Sequence, residues 1–228
     1  MFGIGKKKEV YHIYLFRHGK TTYNTKGIFT GWKNAKLTPG GIADAKNVAM
    51  QLKNKSFSIA IHTHLSRSYD TLKEVLKFHP ECKLIFTDDR IIERDYGELD
   101  GLSHEKFIEN IGNQLYKLEV EGDFFADLNP ADKIKIKKFL GQKEYDMIHR
   151  GWSTRPPKGE SFADVEKRVK KFIKWLKKYV KKNKVNVAIS AHGNSIRLFR
   201  KIWEKTSKEE ATNWFIPYDK VYEYKIKA

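Results

Sequence analysis

The chain has 228 residues, 40% hydrophobic and 13% aromatic, which is enough to bury one sizeable core and too much for a disordered chain. The formal net charge is +17, but the lysines are spread along the chain and sit opposite apolar stripes, so they read as solvated helix faces and a nucleic-acid partner is disfavoured. Cys82 is the single cysteine, which excludes an intrachain disulfide and a thiolate metal cluster; with no apolar run of membrane-spanning length and no signal-peptide core after Lys6, Lys7 and Lys8, a soluble, cytoplasmic protein is expected.

Residues 10–16 are apolar and aromatic and predict a first strand. Residues 21–39 form a polar, glycine-containing loop. Ile42, Ala45, Val48, Ala49 and Leu52 recur at helical spacing and predict a helix over 41–53. A second strand is expected over 57–63, then a helix over 66–78 capped by Ser66 or Ser68. A short strand over 83–87 leads into an irregular, charged stretch, 88–102. Two helices, 104–118 and 130–147, lack strand signals between them and predict an inserted helical lobe at about residues 103–150. A loop is expected over 149–159. A long helix over 161–182 comes next, with its stripe at Phe162, Val165, Val169, Phe172, Ile173, Leu176 and Val180. A strand over 185–190, helices over 194–204 and 208–213, and an alternating edge strand over 220–227 complete the chain. Strands alternating with helices predict a three-layer α/β/α sandwich with a mostly parallel central sheet, carrying the lobe, as a single domain over 1–228.

Ligands of open α/β sheets bind beyond the carboxyl ends of the strands. Strand one delivers Arg17 and His18, with Gly19 directly after; strand two delivers His64, Ser66 and Arg67; the strand over 185–190 delivers His192, Gly193 and Asn194; and the stretch after the third strand carries Glu93. Two arginines, two histidines and a carboxylate suit phosphoryl transfer through a covalent histidine. His18 is the candidate nucleophile, and its neighbours Arg17 and Arg67 oppose its protonation. The arginines also neutralise phosphoryl oxygens, His192 donates to one, and Glu93 moves the proton of the leaving oxygen. No metal is required. His62 reads as structural and His64 is left open. Asp88, Asp89, Asp95 and Asp100 lack the spacing of a calcium loop, the five tryptophans read as core or pocket wall, and the acidic run Glu109, Glu119, Glu121 and Asp123 reads as solvated.

Taken together, Arg17-His18-Gly19, Arg67, Glu93 and His192 resemble the histidine phosphatase superfamily, and within it the cofactor-dependent phosphoglycerate mutases. Thr21-Thr22-Tyr23-Asn24 resembles the loop after the nucleophile, and Phe29-Thr30-Gly31-Trp32 a pocket-lining segment. Leu65-Ser66-Arg67 with Thr71 is similar to the second-arginine motif. Glu93-Arg94-Asp95-Tyr96-Gly97, apart from Asp95 where the family carries histidine, and His192-Gly193-Asn194-Ser195-Ile196-Arg197 match the remaining ones closely. The resemblance implies interconversion of 3-phosphoglycerate and 2-phosphoglycerate, primed by 2,3-bisphosphoglycerate, on a small phosphorylated three-carbon acid, and it allows a homodimer. It implies substrate contacts from Asn24, Thr30, Gly31, Tyr96, Arg150, Gly193 and Asn194. The chain departs from the mutases at His104, where they carry lysine, and at Gly151, where they carry a second arginine after the one matched by Arg150. Those departures keep open a phosphatase of the same superfamily; a non-enzymatic basic binding module is the remaining alternative, and it has no need of Glu93.

Overall fold

The structure is a computed structural model that describes residues 9–120 and 128–227. Lys6, Lys7, Lys8, Glu121 and Asp123 lie outside the described residues. Five strands, β1 (Val10–Arg17), β2 (Ile59–His62), β3 (Leu84–Thr87), β4 (Val187–Ala191) and β5 (Val221–Lys227), form one sheet in the order β3-β2-β4-β1-β5. β1, β2, β3 and β4 run parallel, and β5 closes one edge antiparallel to β1. Successive side chains of a strand point to opposite faces. Ile13, Leu15, Ile59, Ile61, Val187 and Ile189 therefore bury one face beneath α6 (Phe162–Asn183) and α7 (Gly193–Glu204). Tyr14, Phe16, Ala60 and Ala188 bury the other beneath α2 (Pro39–Leu52) and α3 (Ser66–Leu76). This is the expected α/β/α sandwich. β5 shows the one-sided pattern of an edge, with Tyr222, Tyr224 and Ile226 buried between exposed Glu223, Lys225 and Lys227.

The predicted elements recur with ends shifted by a few residues, and the local chemistry explains the ends. Thr38 caps α2 ahead of Pro39, which needs no N–H partner. Ser161 and Asp164 form a reciprocal capping box at the start of α6. Every exposed side chain of α6 over residues 167–182 is a lysine, opposite the buried stripe. Two expectations are corrected. Neither Ser66 nor Ser68 caps α3: Leu65 is the N-cap and makes no side-chain bond, Ser66 bonds Asn34, and the buried Ser68 hydroxyl is used by the Thr63 amide and the Ser190 carbonyl. The expected loop from residue 149 begins later, because α5 (Pro130–Arg150) continues through His149 and Arg150. Two short helices, α1 (Thr22–Thr25) and α8 (Lys208–Asn213), lie outside these layers in sequence, one after β1 and the other after α7.

α4 (His104–Glu119) and α5 form the lobe. They pack closely at two glycines: a Cβ on Gly112 would lie 2.1 Å from the Lys137 carbonyl oxygen, and one on Gly141 would lie 1.9 Å from that of Ile108. The lobe has its own apolar cluster, Phe29, Tyr96, Leu99, Phe107 and Ile148, which joins it to the loops at the carboxyl edge of the sheet.

Candidate active site

β1 ends at Arg17, and the next residue, His18, is 2% exposed. Its backbone amide bonds the Ala191 carbonyl, which ties it to the end of the neighbouring strand β4. The ring Nδ1 lies 2.8 Å from the Gly19 carbonyl oxygen. A carbonyl only accepts, so Nδ1 carries the hydrogen and Nε2 carries the lone pair. Arg67 Nε donates to that lone pair at 3.3 Å. Burial, then the guanidinium groups of Arg67 and Arg17, hold the His18 pKa well below the ordinary histidine value, so the ring is neutral.

The two arginines are positioned by backbone carbonyls. Arg67, at the first turn of α3, donates Nη1 to Lys33 and Nη2 to Gly31, each at 2.8 Å. Burial lowers its pKa to about 10, which leaves it charged at neutral pH. Gly31 has φ +43°, and a Cβ there would lie 1.9 Å from a carboxylate oxygen of Asp100, so the Arg67 anchor depends on glycine. Arg17 donates Nη1 to the Ile216 carbonyl at 2.8 Å and lies over the Tyr218 ring, while its buried Nε has no partner among the described residues. A Cβ on Gly193 would come within 3.4 Å of the Arg17 guanidinium carbon, so glycine keeps that space open.

His192 comes directly after β4, and its ring centroid lies 5.0 Å from that of His18. Its Nε2 pairs with the Thr63 hydroxyl at 2.8 Å, whereas its buried Nδ1 has no partner among the described residues. Burial, then Arg67, keep this ring neutral too. Glu93 Oε1 accepts from the backbone amides of Arg94 (2.8 Å) and Asn194 (3.1 Å), the latter on the first turn of α7. Asn194 also donates to the Tyr96 hydroxyl and accepts from Arg197 Nη1.

One cavity is lined by Arg17, His18, Asn24, Thr30, Gly31, Arg67, Glu93, Tyr96, Gly193 and Asn194, so these expected residues come together. Asn24 faces it from α1, and its side-chain oxygen accepts from the Thr21 amide and hydroxyl. Arg150 does not line this cavity; it borders a separate depression between α5 and α8, and its Nη1 is buried without a partner among the described residues. The same cavity wall includes residues the sequence pattern did not assign: His104, His149, Phe29 and Arg197. Arg197 was visible only as the last residue of the stretch from His192. His149 was hidden by the expected loop, although Tyr145, Ile148 and His149 share helical spacing.

Arg168 was also missed. It projects from α6 and donates to the carbonyls of Arg90, Ile92 and Glu93 while pairing with Glu160, which fixes the loop that carries Glu93. Trp32 Nε1 donates to the same Glu93 carbonyl. The acidic residues nearby are otherwise engaged: Asp88 with Arg90, Asp89 with the exposed His64, and Asp100 with the Trp32 amide. Among the described residues no group of three or more His, Cys, Asp or Glu is placed to hold a metal ion, and no helix is long and apolar enough to cross a membrane.

The sequence profile of the histidine phosphatase superfamily (branch 1) matches residues 13–123 and 130–228. A 2,3-bisphosphoglycerate-dependent phosphoglycerate mutase of Methanococcus vannielii is 28% identical over 90% of this chain and 86% of its own length. A protein of the same name from Nitrobacter winogradskyi is 30% identical over 87% of this chain and 83% of its own. Among solved structures, a phosphoglycerate mutase of Bacillus anthracis superposes with TM-score 0.67 at 20% identity, covering 96% of this chain and 89% of its own. A mycobacterial glucosyl-3-phosphoglycerate phosphatase superposes with TM-score 0.62 at 19% identity, covering 90% and 84%. The profile covers nearly the whole chain, including every strand end that feeds the cavity, and this protein is an enzyme of the histidine phosphatase superfamily.

Proposed function

We propose that the protein is a phosphoglycerate mutase that interconverts 3-phosphoglycerate and 2-phosphoglycerate through a phosphohistidine at His18. The observation that carries phosphoryl transfer is the His18 ring: Nδ1 is fixed on the Gly19 carbonyl, so Nε2 keeps its lone pair on a buried, neutral imidazole beside Arg67. An N–P bond forms at Nε2 as the substrate O–P bond breaks. Arg17 and Arg67 neutralise the phosphoryl oxygens; the unpartnered Nε of Arg17 supplies a free donor, and His192 Nδ1 supplies a second in the tautomer in which the Thr63 hydroxyl donates to Nε2. Glu93 gives a proton to the departing oxygen and takes one from the hydroxyl that attacks the phosphohistidine.

Those unpartnered donors fit a second phosphate ester as well as the first. 2,3-Bisphosphoglycerate would supply the phosphoryl group that primes His18, with Arg17, Arg67 and His192 around it. The mutase reading draws on the relatives of that name and on Arg197, a buried cation on the cavity wall. It places the enzyme in the cytoplasm as a single catalytic domain with an inserted lobe.

One observation favours a second reading, a phosphatase of small phosphate monoesters. The lobe lines the cavity with the neutral rings of His104 and His149, and no fixed cation of α4 or α5 is on that lining. Incubation with 3-phosphoglycerate and a trace of 2,3-bisphosphoglycerate separates the two. Mostly 2-phosphoglycerate supports the mutase, and mostly free phosphate refutes it in favour of the phosphatase.

A further inference from the structure

The part of the cavity wall contributed by the lobe is a small cluster of rings. His104 and His149 both line it, with centroids 5.7 Å apart and planes nearly perpendicular. His104 Nδ1 lies 3.2 Å from the Tyr145 hydroxyl, and His149 stacks on the Tyr145 ring at 5.0 Å. Phe29 packs edge-on against His104 at 4.5 Å. His149 Nδ1 is buried and has no partner among the described residues, an expensive arrangement unless a ligand completes it.

The surroundings of the pair are cationic or neutral. Arg150 on α5, Arg197 on α7 and Arg94 on the loop after β3 act on His149, as does His104 itself. Tyr145 and Tyr96 are its ring neighbours. Glu93 is the one carboxylate on the described cavity lining. His104 also opens α4, where the helix dipole disfavours an imidazolium and favours an anion.

We propose that His104 and His149 receive the carboxylate of the substrate, and that the pair takes up a proton as that carboxylate binds. This rests on the phosphoglycerate reading of the site. Without a ligand, burial keeps both rings neutral, and for His149 the nearby arginines add to the effect. A bound carboxylate reverses the local field, because an opposite charge against the rings favours their charged form. The empty pair holds no extra proton and the liganded pair holds one. Affinity is therefore highest at low pH, falls by up to about tenfold per pH unit between the pKa of the empty pair and that of the liganded pair, and levels off above the latter.

The test is calorimetric titration of the dephosphorylated full-length protein near pH 7 in two buffers of different ionisation enthalpy. The ligands are 3-phosphoglycerate and glycerol 3-phosphate, which carries the phosphate without the carboxylate. The expected result is tighter binding of 3-phosphoglycerate, with uptake of about one proton more than the control. His104→Lys supplies a fixed cation and should keep that preference while abolishing the extra uptake; His149→Gln should weaken it. Tighter binding of 3-phosphoglycerate without extra uptake overturns this inference and leaves the mutase reading standing. Extra uptake that survives both substitutions also overturns it, because the proton then goes elsewhere. Affinity for 3-phosphoglycerate no better than for glycerol 3-phosphate, including no binding of either, removes the phosphoglycerate reading itself.

Discussion

Glu93→Gln isolates proton transfer from everything else the side chain does. The carboxylate accepts two backbone amides through one oxygen, from Arg94 at 2.8 Å and Asn194 at 3.1 Å. The glutamine side-chain oxygen can accept both, so the loop and the start of α7 stay in place and stability should fall by only about 1 kcal/mol. What disappears is the acid that protonates the leaving oxygen. General acid–base catalysis contributes roughly 10²–10⁴-fold, or about 2.7–5.4 kcal/mol of barrier, so kcat for 3-phosphoglycerate should fall by that factor. p-Nitrophenyl phosphate gives the contrast, because its phenolate leaves as a stable anion without a proton. With this substrate, rapid-quench measurements on Glu93→Gln should show a burst close to wild type and then slow turnover, as phosphohistidine accumulates without a base to activate water. A burst reduced as much as the 3-phosphoglycerate rate would refute proton donation and make Glu93 a purely electrostatic or positioning group.

Wild-type protein exposed to radiolabelled 2,3-bisphosphoglycerate should retain acid-labile label that His18→Ala loses; label kept by the variant removes His18 as nucleophile. Arg168→Met cuts three carbonyl anchors of the Glu93 loop, so it should lower kcat for 3-phosphoglycerate more than the burst on p-nitrophenyl phosphate; equal falls would mean a structural role alone. Gly97 has φ +57°, and a Cβ there would lie 2.1 Å from the Pro157 carbonyl oxygen, which already accepts the Glu98 amide. Gly97→Ala should therefore cost roughly 2 kcal/mol or more, read as a lowered thermal midpoint. Acid should destabilise the fold below about pH 6.5, where the unfolded chain protonates histidines that the folded chain keeps neutral. His18, His149 and His192 are depressed by burial, so their stabilisation is present above the unfolded value and lost as pH falls. Asp100, raised to about 6 by burial, takes up a proton in the folded state over the same range and cancels part of this. With His104, also depressed by burial, the net uptake on unfolding near pH 5 is about two to three protons, or roughly 2.7–4.1 kcal/mol per pH unit; urea midpoints flat from about pH 7 to 5 would contradict it.

The sheet and the centre of the site were legible because each apolar run ends at a residue whose chemistry changes abruptly. Arg17, His18, Arg67, His192 and Asn194 could all be placed by looking just beyond the carboxyl end of a strand. The features that escaped did so for physical reasons. α1 is one turn held by a Thr21–Asn24 side-chain pair, too short for periodicity to register. Arg168 lies on a helix crowded with lysines, and spacing alone does not tell a buried, carbonyl-bonded cation from a solvated one. The end of α5 departs from the loop expected over 149–159, because the helix holds its turn until the Gly151 amide bonds the Met147 carbonyl. That error displaced His149 from the expected site.

The lysine row of α6 sets an unusual response to ionic strength. Within it, Lys167 and Lys170 have carboxylate partners, while neighbours three and four positions apart along the rest of the row repel by roughly 0.2–0.5 kcal/mol each. Dissolved salt shortens the reach of that repulsion to about 3 Å at 1 M, so α6, and the core face it covers, should become firmer as salt is added. The cavity responds in the opposite sense, because inorganic anions compete for the guanidinium groups that receive the phosphoryl oxygens. Brine should therefore yield a sturdier molecule with a slower active site, and fold and turnover should part company along a single solvent variable.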